Sequence, residues 1–146
     1  MDHNNEYTVF YADDDPEDLD FFCEVTDSLA KDVSVVTHEN GEKLLAALDN
    51  PPPQPVVVFL DLNMPGFNGF EVLKRVRSNE AFSNLPVVIF STSSDEASIE
   101  RSRELGANFY VTKSSHFPTL KKSIEHTLNI DWSSFKPNPE NFVYAA

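Results

Sequence analysis

Basic residues are scarce in this chain. Lys and Arg number 11 against 24 Asp and Glu, for a formal net charge of -13. That balance disfavours direct DNA or RNA binding, which needs positive surface to displace counterions. It disfavours an anionic membrane surface for the same reason. Cys23 is the single cysteine, which excludes an internal disulfide. It falls on the apolar face of an expected helix and reads as a small core residue. The histidines His3, His38, His116 and His126 lack metal-ligand spacing, which argues against a zinc site. No run approaches transmembrane length, and the polar, acidic residues 1–7 contain no signal core. A cytoplasmic, reducing setting is the expectation. There is no internal repeat and no long low-complexity tract.

What the chain does have is an alternation of strand and helix patterns over 146 residues, a length suited to one domain with a real core. Strands are expected at 8–12, 34–37, 56–61, 86–91 and 108–112. Helices are expected at 16–30, 41–48, 68–78, 93–105 and 117–128. Asp15 suits the N-cap of the first helix, Pro16 its first position, and Asp18 its first turn, so Asp15 and Asp18 are accounted for locally. Leu19, Phe22, Cys23 and Thr26 form its apolar stripe, and Phe70, Leu73 and Val76 line the inner side of the third helix. Asn68 with Glu71, and Ser93 with Glu96, read as capping boxes. Gly106 is the expected stop of the fourth helix. Met64, Pro65, Gly66 and Phe67 suit a type II turn, and Pro51, Pro52, Pro53 and Pro55 a stiff connector. The run Val56 to Leu60 is apolar at consecutive positions, as in a central strand covered on both faces. Five strands alternating with five helices imply an α/β fold with an open, mostly parallel, doubly wound sheet.

Such sheets bind ligands beyond the carboxyl ends of their strands. Asp13, Asp14, Asp61, Ser91 and Lys113 all fall at expected strand ends. Two carboxylates roughly 4 Å apart repel by about 4 kcal/mol at an effective dielectric of 20. Three would strain the fold or raise a pKa, and a hard cation such as Mg²⁺ relieves the strain. Lys113 adds a positive charge and Ser91 a hydroxyl. Metal, lysine and hydroxyl are what a transferring phosphoryl group needs. Asp61 ends the central strand before a Pro-Gly turn, which makes it the nucleophile candidate.

The segments Tyr11-Ala12-Asp13-Asp14-Asp15, Phe59 through Gly69, Val88-Ile89-Phe90-Ser91-Thr92 and Gly106 through Lys113 resemble receiver domains of two-component response regulators. The resemblance spans residues 7–128, and its most specific block is 61–69. It implies a five-stranded parallel sheet of flavodoxin-like order 2-1-3-4-5. It implies that Asp61 accepts a phosphoryl group from a sensor histidine kinase or phosphotransfer protein. Asp14 would ligate Mg²⁺ directly, with Asp13 assisting through water and Asn63 offering its backbone carbonyl. Lys113 would pair with the phosphoryl group, Ser91 would swing toward it, and Tyr110 would turn inward as Ser91 moves. A downstream protein would read the altered face. In receivers a proline usually follows the lysine, with a cis bond between them. Ser114 stands there in this chain, so the loop either keeps a cis bond at about 2.5 to 4 kcal/mol or runs trans.

Two other readings compete. A small aspartyl-phosphate phosphatase would need a second aspartate two residues after Asp61, and Asn63 occupies that position. A receiver-shaped interaction module not regulated by phosphorylation is the alternative that the Ser114 departure leaves open. A flavin site is disfavoured, because aspartates rather than a Gly/Ser/Thr-rich loop follow the first strand. Residues 1–128 are expected to form the receiver domain. About 18 residues follow, too few for an output domain. Trp132, Phe135, Phe142, Val143 and Tyr144 are many large apolar residues for a disordered tail. Packing on its own domain and reaching a second copy as a homodimer arm are both open. The resemblance extends to single-domain partners of phytochrome-like kinases, which carry comparable tails.

Overall fold

The computed structural model describes residues 7–29, 32–49, 56–64 and 66–144. The expected proline connector, Pro65 of the expected turn and the expected helix end at Ala30 lie outside them. Five strands, β1 (Tyr7–Ala12), β2 (Val33–His38), β3 (Val57–Leu60), β4 (Val87–Ser91) and β5 (Phe109–Thr112), pair in parallel in the order β2-β1-β3-β4-β5. Five helices connect them: α1 (Pro16–Asp27), α2 (Gly41–Asp49), α3 (Gly69–Arg77), α4 (Glu96–Glu104) and α5 (Phe117–Leu128). The order matches the expectation. A 3-10 turn at Glu80–Phe82, capped by the Asn79 side chain, was not expected.

Strand side chains alternate between two faces with period two. Val9, Tyr11, Val57, Phe59, Val88, Phe90, Phe109 and Val111 pack with Phe22 and Val25 of α1 and with Leu120, Ile124 and Leu128 of α5. Phe10, Ala12, Val58, Leu60, Ile89 and Tyr110 pack with Leu44 and Leu48 of α2 and with Val72, Leu73 and Val76 of α3. The sheet is therefore covered on both sides, which explains the consecutive apolar residues of β3.

The caps show how local sequence sets each helix. Asp15 accepts the Glu17 amide at 2.9 Å, and Asn68 accepts the Glu71 amide at 3.0 Å. The cap of α4 is Asp95, which accepts the Ser98 amide at 3.0 Å, so the expected Ser93 cap is corrected. An ionised carboxylate is the stronger acceptor for a free helix-terminal amide. After Leu105 the chain turns through Gly106 at φ 105°, with Ala107 bonded back to Ser102 and Gly106 to Arg103. This is a Schellman stop, and it needs a residue that tolerates positive φ. In α3, Val72 is buried where Phe70 was expected, because the helix is rotated in phase. Phe70 is half-buried and lies under the Arg101 guanidinium at 4.4 Å. Leu19 and Cys23 of α1 are likewise half-buried, and Val25 is buried instead.

Beyond α5 the chain returns to the sheet. The Tyr110 amide donates to the Phe142 carbonyl and the Tyr144 amide to the Tyr110 carbonyl, both at 2.9 Å. Val143 forms a parallel bridge with Tyr110, and Phe142 is buried against the α2–α3 side of the core. The free edge of β5 is thereby covered, as edge strands commonly are.

Candidate functional site

Parallel register brings the strand ends together. The Asp13 amide bonds to the His38 carbonyl, the Asp61 amide to Ala12, and the Lys113 amide to Ser91, at 3.0, 3.1 and 2.8 Å. Each ladder thus runs one residue past its strand and delivers a functional side chain at the same edge. Period-two parity then sorts them. Asp13, Asp61 and Lys113 continue the α1–α5 face, whereas Ser91 and Tyr110 belong to the α2–α3 face.

One oxygen each from Asp13, Asp14 and Asp61 can be chosen so that all three lie within 4.8 Å of one another. Asp13 and Asp61 are buried and Asp14 is exposed. Asp13 is held from three directions. Its Oδ1 accepts the Asp15 amide at 3.0 Å, and its Oδ2 accepts both the Tyr11 hydroxyl and Lys113 Nζ at 2.6 Å. Asp14, by contrast, makes no side-chain hydrogen bond or ion pair among the described residues and is free to turn to a ligand. The donor set is all oxygen, with no imidazole or thiolate within it. That chemistry fits a hard divalent cation such as Mg²⁺ and not a soft one.

Lys113 reaches three carboxylates. It is 2.6 Å from Asp13, 2.8 Å from Asp18 and 3.5 Å from Asp61. Its side chain is only 9% exposed. Burial works against its charge, but the hydrogen bonds to Asp13 and Asp18, together with the charges of Asp61 and Asp13, outweigh burial and hold its pKa above the ordinary lysine value. Asp61 is pushed up to about 7, chiefly by burial, with the Asp13 charge adding to the rise. Lys113 and the Asn63 backbone amide oppose it. A carboxyl poised there is typical of functional sites.

Ser91 Oγ accepts the Ser93 amide at 3.2 Å, and the Tyr110 hydroxyl donates to the Ser93 carbonyl at 2.7 Å. Tyr110 is already buried and turned inward. Asn63 and Thr92 are exposed beside the cluster. Tyr11 and Asp18 are the contributors that sequence reasoning missed. Tyr11 shares the parity of Asp13, a signal that could have been used. Asp18 was explained by helix geometry alone.

Gly69 fixes the approach of α3 to this edge. A Cβ there would stand 2.5 Å from the Asp61 carbonyl oxygen and 2.7 Å from Leu62 Cα, both backbone atoms. Gly69→Ala is expected to cost about 1–3 kcal/mol by overpacking and to shift Asp61. Denaturant titration and cation binding would both register the change. An unaltered midpoint would show that the loop yields freely.

An open, parallel sheet in this order, with three carboxylates and a lysine at its carboxyl edge, is the arrangement of a receiver domain. The family model of the response regulator receiver domain matches residues 9–125, and the chain belongs to that family. Among characterised relatives, it is 34% identical over 116 residues to the chemotaxis protein CheV1 of Helicobacter pylori, covering 77% of this chain and 35% of that protein. It is 38% identical over 73 residues to the response regulator Rcp1 of a Synechocystis species, covering 50% of each. The chain thus aligns with half or less of these relatives' lengths. Among solved structures, the phosphorylated cyanobacterial phytochrome response regulator RcpA superposes with a TM-score of 0.79 at 29% identity, over 92% of this chain and 99% of that one. The Mn²⁺-bound form of Rcp1 gives 0.75 at 28% identity, over 91% and 99%. No helix among the described residues is long and apolar enough to cross a membrane.

Proposed function

We propose that this protein is a stand-alone response regulator that carries a phosphoryl group on Asp61 and thereby switches a protein-binding face. The observation that carries the reading is the convergence of the Asp13, Asp14 and Asp61 carboxylates beside Lys113. The donor is a histidine kinase or phosphotransfer protein. An Asp61 carboxylate oxygen attacks phosphorus, a P–O bond forms as the P–N bond to the donor histidine breaks, and the imidazole leaves with the electron pair. Asp14 and Asp61 would ligate Mg²⁺, with Asp13 assisting through water and the Asn63 backbone carbonyl completing the protein's share. That a structurally similar protein, Rcp1, has a Mn²⁺-bound form supports divalent-metal binding by this fold. Bound Mg²⁺ supplies positive charge to the phosphoryl oxygens.

Phosphorylation raises the charge at Asp61 from about −1 to about −2. Lys113 and the Ser91 hydroxyl then gain strong acceptors. Ser91 must release the Ser93 amide to turn, and Tyr110 is bonded to the same loop through the Ser93 carbonyl. The switch is thereby passed to the face built by α4, β5 and α5, where a downstream protein reads it. The chain is not a turnover enzyme in this reading, and it works in the cytoplasm.

The test offers the protein a small acyl phosphate with Mg²⁺ and follows intact mass. Wild type should gain one phosphoryl group and Asp61→Asn none. Equal masses with and without donor would favour the alternative, a receiver-shaped interaction module not regulated by phosphorylation.

A further inference from the structure

Asp18 has a local reason to exist, since an acidic residue in the first turn of a helix is favoured by the helix dipole. Its contacts go further. Its Oδ2 accepts a hydrogen bond from Lys113 at 2.8 Å, across 95 residues of sequence. An ammonium has three donors. Lys113 gives one to Asp13 and one to Asp18, while Asp61 lies 3.5 Å away as its longest and weakest ion-pair contact. The lysine is thus bonded to two carboxylates other than the residue it would serve.

The two bonded partners differ. Asp13 is also tied to the Tyr11 hydroxyl and the Asp15 amide, so its position does not depend on the lysine. Asp18 makes no other side-chain hydrogen bond among the described residues. It lines a groove of about 410 Å³ together with Lys113, Asp20, Phe21, Thr92 and Ser114. Its side chain is 34% exposed, so it can be changed without opening a cavity in the core.

We propose that Asp18 is a positioning residue that holds Lys113 toward α1 in the resting protein, so that phosphorylation must draw the lysine off Asp18. This rests on Asp61 being the phosphoacceptor. Asp18 is a partner of the lysine in one state and a competitor for it in the other. Removing its charge raises the energy of the resting arrangement and leaves the phosphoryl-bound one with an unopposed lysine.

The test compares Asp18→Asn with Asp20→Asn in the full chain. Both remove one negative charge from α1 beside the same groove, but Asp20 does not contact Lys113. Beryllofluoride, a phosphoryl mimic, is titrated calorimetrically in saturating Mg²⁺. Asp18→Asn should bind it about two- to fivefold more tightly than Asp20→Asn, the range expected for a partly exposed ion pair. In a Lys113→Ala background the difference should vanish, which a general electrostatic or structural effect would not produce. Equal affinities for the two variants would overturn the proposal. So would weaker binding by Asp18→Asn, which would make Asp18 a support for the lysine in the phosphorylated state. Failure of wild type to bind beryllofluoride at all would instead remove the phosphoacceptor reading on which the proposal stands.

Discussion

Mg²⁺ affinity should fall about tenfold for each pH unit below about 7 and level off above it. The cause is Asp61, whose carboxyl is pushed up to about 7, first by burial and then by the Asp13 charge. A cation needs the ionised form, so below that value binding must first expel a proton. The sign for folding follows from the same group. Its folded pKa exceeds the ordinary value of 3.8, so between about 4 and 7 the folded chain keeps a proton that the unfolded chain loses. Stability of the cation-free protein should therefore decline as pH rises through that window. Saturating Mg²⁺ should abolish the trend, because the folded site is then ionised throughout that window, as the unfolded chain is. Calorimetric titrations at pH 5.5 and 8.5 in buffers of different ionisation enthalpy would count the protons released. About one is expected at the lower pH and almost none at the higher. A pH-independent affinity would show that Asp61 is already ionised without the cation.

Phe142→Ala should be among the most destabilising single changes outside the sheet. Phe142 is 1% exposed, belongs to the same apolar cluster as Leu73 and Ile89, and approaches the Tyr110 ring at 6.3 Å between centroids. Truncating a buried phenylalanine costs about 3–5 kcal/mol. At about 2–4 °C per kcal/mol, the thermal midpoint should drop by roughly 10 °C. The measurement also decides where the tail belongs. If each chain covers its own β5 edge, the wild-type midpoint will not change with protein concentration. If a second copy supplies the segment, the midpoint will rise with concentration. A drop of less than about 2 °C in the variant would mean that the tail contributes little to the core.

Much of the architecture was legible because period-two and period-3.6 patterns alternate cleanly and acids stand where apolar strands end. The site residues at strand ends were legible for the same reason, since parallel strands share one carboxyl edge. The misses have local causes. Asp18 and Asp15 both suit a helix start, and nothing in the sequence separates a carboxylate that only caps from one that also reaches a lysine 95 residues away. Tyr11 reads as one more strand residue until its hydroxyl is placed two positions from Asp13 on the same face. Ser93 and Asp95 each fit a capping pattern, and only the backbone turn chooses between them. Phe70 and Val72 differ by the rotation of one short helix. Arg77, in the last turn of α3, looks like a solvated charge, yet it is half-buried and bonded through each of its three guanidinium nitrogens.

That arginine has a mechanical consequence. Its guanidinium donates to the Gly106 carbonyl, the Phe82 carbonyl and Asn108 Oδ1 at 2.9, 2.9 and 2.8 Å, and Asn108 in turn accepts the Val87 amide. The trailing end of α4 is thereby riveted to the base of the sheet, far from the acidic edge. Its leading end, capped only by Asp95, is the part that adjoins Ser93 and Tyr110. A displacement that begins at Ser91 is therefore expected to swing α4 like a door on a hinge at Gly106, with the widest travel next to the acidic edge and the least at the opposite pole.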